Sequence, residues 1–225
     1  MPKAPAAGDP SEAAALRTQA ALMGLHVDAR QAALLLQLLD ELTVWSRAYN
    51  LTAVETRANM ITHHLLDSLA ASADLVGKRI ADIGTGAGFP GLPLAILHPD
   101  RHFTLIDGTA KKIRFVAHAA RTLGIANVEA VHQRAETLVV SEPFDTLLAR
   151  AVGSVPTLAE LAWPLAKAGT RLIAYKGQRP EAELAALPEN WQLLEVRTLR
   201  VPGLDATRHL VLLEARAAPA RSPES

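Results

Sequence analysis

Two acids close two short apolar runs in this chain. Asp82 ends the stretch Arg79-Ile80-Ala81-Asp82, and Asp107 ends His102-Phe103-Thr104-Leu105-Ile106-Asp107. A glycine-dense turn, Gly84-Thr85-Gly86-Ala87-Gly88-Phe89-Pro90-Gly91, follows the first. A strand, a glycine loop and a helix start in that order let backbone approach a nucleotide-like ligand closely. An acid at the end of the next strand is where such folds bind ribose hydroxyls, and Asp107 holds that place. The spacing is G-x-G-x-G. The dinucleotide pattern G-x-G-x-x-G needs glycine at position 89, where this chain has Phe89. Pro90 and Pro93 also crowd the helix start that a pyrophosphate would need. An adenosine cofactor without phosphates fits better, and S-adenosylmethionine is the obvious one. A glycine turn alone is explained by a need for positive φ; the company of Asp82, Asp107 and the strand–helix context favours a ligand.

The elements that must position these residues follow from periodicity. Asp9-Pro10-Ser11-Glu12 opens a helix with an acid cap, a proline at the first position and Glu at the third, and Gly24 ends it. Asp28-Ala29-Arg30-Gln31 repeats the capping pattern. Leu35, Leu39, Leu42, Trp45 and Tyr49 then recur at helical spacing, which predicts one buried face. A third helix is expected over 57–71, with Met60, Ile61, Leu65 and Leu69 inward, and a boundary near Val76-Gly77-Lys78. Beyond it, strands are expected at 79–83, 102–107, 127–131, 144–149 and 170–176. Helices are expected at 91–98, 109–123, 155–167 and 180–187. Repeated β–α units imply a mostly parallel, doubly wound sheet. The runs 191–201 and 208–215, separated by Pro202-Gly203-Leu204-Asp205, read as a terminal antiparallel pair. That ending is usual in class I S-adenosylmethionine-dependent methyltransferases, a Rossmann-like α/β fold. The division is then a disordered segment at 1–8, a helical cap at 9–77, a methyltransferase domain at 78–215 and a flexible tail at 216–225, with cap and core forming one compact unit. In open α/β sheets the ligand lies outside the carboxyl ends of the strands. Asp82, Asp107, Gln133 to Glu136, Ala149-Arg150 and Lys176-Gly177 therefore share one rim.

Bulk composition narrows the class. The chain has 225 residues, enough for one α/β domain with an appended piece. Apolar residues at 49% and charged residues at 20% are ordinary for a globular protein, so a packed core is expected. There is no cysteine, which excludes a disulfide framework, thiolate chemistry and a Cys-type zinc site. No apolar run reaches membrane-spanning length and the N-terminus lacks a secretory segment, so a cytoplasmic protein is expected. Net charge is zero, so a nucleic-acid partner would need a local basic surface.

Several segments occur together in a recognisable order: Asn50-Leu51-Thr52-Ala53-Val54, His63-His64-Leu65-Leu66-Asp67-Ser68, Asp82 to Gly91, Arg134-Ala135-Glu136, Ala149-Arg150-Ala151 and Tyr175-Lys176-Gly177. The set resembles the bacterial small-subunit (16S) rRNA guanine-N7 methyltransferases of the RsmG or GidB type, over about residues 30 to 214. The resemblance implies methyl transfer from S-adenosylmethionine to N7 of a guanine, with 16S rRNA or the small ribosomal subunit as partner. It implies cofactor contacts from Gly84 and Phe89, with Gly86 and Gly88 in the same loop. Ala135-Glu136 would lie near the adenine and Arg150 beside the cofactor. Asp107 would take the ribose hydroxyls, in agreement with the reading above, and Asp82 would brace the loop and the methionine end. A monomer is expected.

Guanine N7 has an in-plane lone pair and no proton. The reaction is an in-line displacement on a sulfonium methyl, so no general base is needed and none is assigned. Alignment and water exclusion carry the catalysis. Polar side chains matter for recognition instead. Arg or Lys suits guanine O6, and Arg134, Arg150 and Lys176 are the rim cations available. A base inside a structured RNA would be splayed out to be reached. Phe89 would cover the cofactor or stack on that base. Asn50 and Thr52 sit at a helix end, where capping is the default, and motif membership adds substrate-side contact. His63 and His64 are adjacent and should face different helix sides, with no third ligand spaced for a metal. His64 and Asp67 share a face. They read as a surface pair or as packing of the cap against the rim. Asp82 reads equally well as a cap for the following helix. Lys111, Lys112 and Arg114 read as a solvated face first and as RNA-phosphate contacts second. Trp45, Trp163 and Trp191 read as core. Rival functions are another methyl acceptor, a ribosome-binding module without activity, and an NAD-dependent oxidoreductase, which the glycine spacing disfavours.

Overall fold

The computed structural model describes residues 10–53 and 56–216. The expectations for 1–8, for Asp9 as a cap, for Val54 and for the tail after Arg216 lie outside the described residues. Helix α1 (Pro10–Leu22) carries Pro10 in its first turn, where no N–H is needed, and is followed by Gly24 at φ 74°. Helix α2 (Ala29–Tyr49) begins in a reciprocal box: the Gln31 N–H donates to Asp28 Oδ1 at 2.7 Å and the Asp28 N–H to Gln31 Oε1 at 3.0 Å. Leu35, Leu36, Leu38, Leu39 and Leu42 are fully buried on it. Trp45 is half-buried against Phe115, but Tyr49 is exposed, because the stripe runs past the end of the core.

The single helix expected over 57–71 is broken. Helix α3 (Arg57–Met60) passes into a π-helical turn (Ile61–Leu66) and then into α4 (Asp67–Leu69). Met60, Leu65 and Leu69 point inward as the spacing predicted, whereas Ile61 is only half-buried. Single π turns inside helices cluster at functional sites, and this one carries both histidines.

Seven strands follow among the described residues. They are β1 (Arg79–Ile83), β2 (His102–Asp107), β3 (Val128–His132), β4 (Thr146–Arg150), β5 (Arg171–Lys176), β6 (Trp191–Leu199) and β7 (Arg208–Ala215). Their order is β3-β2-β1-β4-β5-β7-β6. The first five are parallel, and β7 inserts antiparallel between β5 and the edge strand β6. Several strands start one or two residues later than periodicity suggests. Helices α5 (Gly91–Leu97), α6 (Ala110–Thr122), α7 (Val155–Ala162) and α8 (Glu181–Leu184) link them. The stretch expected as helix over 155–167 tightens into a 3₁₀ turn at Trp163–Leu165. Pro188 disfavours helix at the residue before it, and α8 stops well short of 187. No helix among the described residues is long and apolar enough to cross a membrane.

Strand alternation feeds two cores. Ile80, Leu148 and Ile173 pack with α2, α5, α6 and the N-terminal helices in one apolar cluster; Ala81, Leu147 and Leu172 pack with α7 on the other face. The N-terminal helices thus share a continuous core with the sheet. Trp191 is buried, its indole N–H donating to the Ala159 carbonyl at 3.0 Å, while Trp45 and Trp163 are half-buried. Strand β1 has β2 on one side and β4 on the other, so the chain reverses its winding there. A crevice opens at the carboxyl ends of β1 and β4, the place where such sheets bind ligands.

The start of β1 is clasped by Asp145, whose Oδ2 accepts the N–H groups of Lys78 at 2.8 Å and Arg79 at 3.0 Å. Gly77 lies against that carboxylate at φ 64°, so a Cβ there would collide with the Asp145 side chain. Gly77→Ala should therefore destabilise the fold by about 1–3 kcal/mol. Denaturant unfolding reads this directly, and a loss under about 0.5 kcal/mol would show that the clasp is dispensable.

Candidate functional site

The glycine loop is anchored by the acid before it. Asp82 is fully buried, and its Oδ2 accepts the Thr85 hydroxyl at 2.6 Å and the Gly91 N–H at 2.9 Å. One carboxylate oxygen thus ties the first residues of the turn to the start of α5, which is the helix-capping role weighed above. Its other oxygen, Oδ1, makes no hydrogen bond among the described residues. Burial, offset in part by the Thr85 and Gly91 hydrogen bonds and by Arg150, pushes the Asp82 carboxyl up to about 7. Gly84, Gly86 and Gly88 all take positive φ, which explains the alternate spacing. At Gly84 a Cβ would stand 2.7 Å from Val152, so backbone forms the bare floor of the cleft.

On one side of the loop lies an open cleft of about 330 Å³, walled by Ile83, Gly84, Ile106, Asp107, Arg134, Ala135, Glu136 and Val152. Asp107 is held there by two backbone donors. Its Oδ2 accepts the Gly86 N–H at 3.0 Å and its Oδ1 the Thr109 N–H at 2.8 Å. Each oxygen keeps a further lone pair for a hydroxyl. Lys112 stands 3.6 Å from Oδ2, so part of the expected solvated face serves this carboxylate. Ala135 is buried in the wall, while Arg134 and Glu136 are exposed at its rim.

On the other side lies a cavity of about 410 Å³, lined by His63, His64, Asp67, Arg150, Ala151, Tyr175, Lys176, Gly177 and Arg208. Arg150 Nη1 donates to the His63 carbonyl at 2.8 Å and to Asp67 Oδ2 at 3.2 Å. Its guanidinium also lies 5.7 Å from the centre of the Phe89 ring, and His64 stacks on Phe89 at 4.9 Å. The His64 Nε2 shares a hydrogen bond of 2.8 Å with the Thr52 hydroxyl. Burial, Arg150 and His63 together push the His64 imidazole down to about 4, so the ring is neutral at neutral pH. Tyr175 OH donates to the Ser68 carbonyl at 2.7 Å and ties α4, which follows the π turn, to β5.

The model of the family described as rRNA small subunit methyltransferase G (GidB) matches residues 31–211. The chain belongs to this family. It is 44% identical over 190 residues to ribosomal RNA small subunit methyltransferase G of Shewanella amazonensis, covering 84% of this chain and 92% of that protein. It is 47% identical over 180 residues to the enzyme of the same name from Methylococcus capsulatus, covering 80% and 87%. Solved structures share the fold at low identity. TrmN from Thermus thermophilus superposes with a TM-score of 0.56 at 21% identity, over 76% of this chain and 53% of that one. A 16S rRNA (adenine(1408)-N(1))-methyltransferase from Catenulisporales acidiphilia superposes at 0.53 and 17%, over 68% and 92%. The fold is that of the class I S-adenosylmethionine-dependent methyltransferases.

The matched segments of the methyltransferase G family converge on the two clefts, with three departures from the sequence reading. His63 and His64 lie in the π turn and both line one cavity, His63 with its carbonyl on Arg150 and His64 with its ring on Phe89. His64 and Asp67 are not a surface pair, since Asp67 is 5% exposed and pairs with Arg150 while His64 bonds Thr52. Lys176 is not a free rim cation; its Nζ donates to Glu183 at 2.9 Å and to the Gly153 carbonyl at 3.3 Å. Phe89 is buried between His64 and Arg150, so it walls the site and has no open face for a base. Asn50 is a left-handed helix cap at φ 50°, its N–H bonding the Ser46 carbonyl. Arg208 was missed. It opens β7, which runs antiparallel to β5 with His209 opposite Lys176, so its guanidinium reaches the same rim. Only the strand order reveals that.

Asp82 and His64 have opposite effects on stability against pH. A carboxyl raised from 3.8 to about 7 favours the folded state fully below its unfolded value and loses that favour as pH rises through about 7. An imidazole lowered from 6.5 to about 4 stabilises above 6.5 and loses that as pH falls towards 4. The two slopes oppose each other in mildly acid solution. Asp82→Asn removes only the first, so its melting temperature should rise relative to the parent from pH 4 to 7 and then level off. A difference that stays flat across that range would show that Asp82 is not perturbed by burial.

Proposed function

We propose that the protein transfers the methyl group of S-adenosylmethionine to N7 of a guanine in the RNA of the small ribosomal subunit. The family match supports this most strongly, because residues 31–211 include every residue of both clefts. The residues present fit the cofactor. A bare backbone floor at Gly84, an apolar wall at Ile106, Ala135 and Val152, and a fixed carboxylate at Asp107 suit an adenosine. The buried, unpartnered Asp82 Oδ1 suits a donor at the loop. When bound, S-adenosylmethionine supplies a sulfonium methyl open to in-line displacement.

The chain's own residues then have three tasks. Asp107 accepts the ribose hydroxyls, and the Ala135–Glu136 turn borders the adenine. The wall of His64, Phe89 and Arg150 closes the reacting side against water and fixes the angle at which the base approaches. Such alignment can supply about 7–11 kcal/mol of the barrier. Arg134, exposed at the rim, brings positive charge to an RNA with a dense phosphate backbone. No side chain needs to remove a proton, and His64 is neutral through the working range.

The test is transfer of labelled methyl to small-subunit rRNA, followed by nuclease digestion to identify the base. N7-methylguanosine is expected; cofactor binding without transfer would indicate a binding module, and another methylated base would move the acceptor. At saturating cofactor the single-turnover rate should stay nearly level across neutral pH, whereas a required general base would make it climb about tenfold per pH unit below its pKa. Asp107→Ala should weaken the demethylated product, S-adenosylhomocysteine, by about 1.5–3 kcal/mol in calorimetry. A loss under twofold rejects the ribose role.

A further inference from the structure

The cavity beside Arg150 holds a group that neither cofactor binding nor methyl displacement needs. Asp67 is buried, and its Oδ1 makes no hydrogen bond among the described residues. The Asp67 Oδ2 takes the Arg150 guanidinium at 3.2 Å. Arg208 Nε stands 3.6 Å from Oδ1, beyond hydrogen-bond reach. The carboxylate is therefore held by charge on both sides, its buried Oδ1 lacks a donor, and Asp67 is one of the residues around the cavity of about 410 Å³. Buried carboxylate oxygens are ordinarily satisfied, and an exception at a cavity wall calls for an outside donor.

We propose that Asp67 is the residue that selects guanine, through the edge of the base opposite N7. Its Oδ1 accepts the N2 amino group, and the second lone pair of Oδ2 accepts N1–H. Only guanine among the four bases presents two adjacent donors there; adenine and cytosine place an acceptor at the corresponding ring nitrogen, and uracil flanks its single N–H with carbonyls. A base taken out of its stack is read on that edge. The choice leaves N7 and its lone pair uncovered, facing the glycine loop. Arg150 and Arg208 then act as positioning residues that keep the Asp67 carboxylate aimed. The proposal rests on the guanine-methylation reading above and adds how the base is chosen.

The test compares methyl transfer to small-subunit rRNA carrying guanosine with transfer to the same RNA carrying inosine, which lacks only the N2 amino group. For the parent protein kcat/KM should fall about 10- to 100-fold with inosine, the loss of one charge-assisted hydrogen bond. Asp67→Asn should lower transfer to guanosine RNA and shrink the guanosine-to-inosine ratio towards one, with S-adenosylhomocysteine affinity unchanged. Because inosine also perturbs RNA folding, the change in the ratio between the two proteins is the deciding quantity. Equal ratios for parent and variant overturn the proposal. So does an intact ratio with weakened S-adenosylhomocysteine binding, which would give Asp67 to the cofactor's amino group. If Asp67→Asn does not fold, the parent alone decides: equal rates on the two RNAs refute N2 recognition. No transfer to any guanine by the parent would defeat the methylation reading itself, and this inference with it.

Discussion

Asp82 places a carboxylate where no water reaches it, and the geometry of the site follows from that placement. Its Oδ2 must find donors, and the donors within reach are the Thr85 hydroxyl and the Gly91 N–H. Satisfying them folds the chain between β1 and α5 into a turn tight enough to need positive φ at Gly84, Gly86 and Gly88. The same turn points the Gly86 N–H at Asp107, and so fixes a second carboxylate on the next strand. Two acids are thus oriented by one loop, and each holds the loop in return. Burial of Asp82 is expensive for the charged form. The remedy inside the protein is partial, since one oxygen stays without a partner.

The helical layer contributes chemistry as well as cover. The π turn at Ile61–Leu66 and the start of α4 bring His63, His64 and Asp67 to one cavity, and Tyr175 fastens α4 to β5 through the Ser68 carbonyl. Arg150 crosses from the sheet to meet it, bonding Asp67 and the His63 carbonyl and lying against Phe89. A buried ion pair of this kind adds little net stability, because desolvation offsets its attraction. What it does supply is a fixed relation between helix layer and glycine loop. The Asp67–Arg150 pair is better understood as a device for geometry than as a source of folding energy. Lys176 follows the same logic, since its charge is spent on Glu183 and holds α8 near the end of β5.

Much of this was legible in the residues. The apolar runs ending in Asp82 and Asp107, the G-x-G-x-G spacing and the caps at Pro10 and Asp28 each state a local requirement: a strand, a turn with positive φ, a helix start. Local requirements are read from neighbours in sequence, so strands β1 to β5 and helices α1, α2, α5 and α6 came out close to their observed bounds. The order of motifs likewise pointed to the methyltransferase G family.

What tertiary structure alone decided are the relations between elements that are far apart in sequence. No periodicity says that a helix will open into a π turn, yet that turn forms part of the cavity wall. Arg208 reaches the site only because β7 inserts antiparallel beside β5 and brings His209, the next residue, level with Lys176. Whether a charge is free or spent is also a tertiary matter: Lys176 and Arg134 look alike in sequence, but one is bound to Glu183 and the other is exposed. The physical reason is the same in each case. Backbone preference acts over a few residues, whereas desolvation and ion pairing depend on whatever the folded chain brings within a few ångströms.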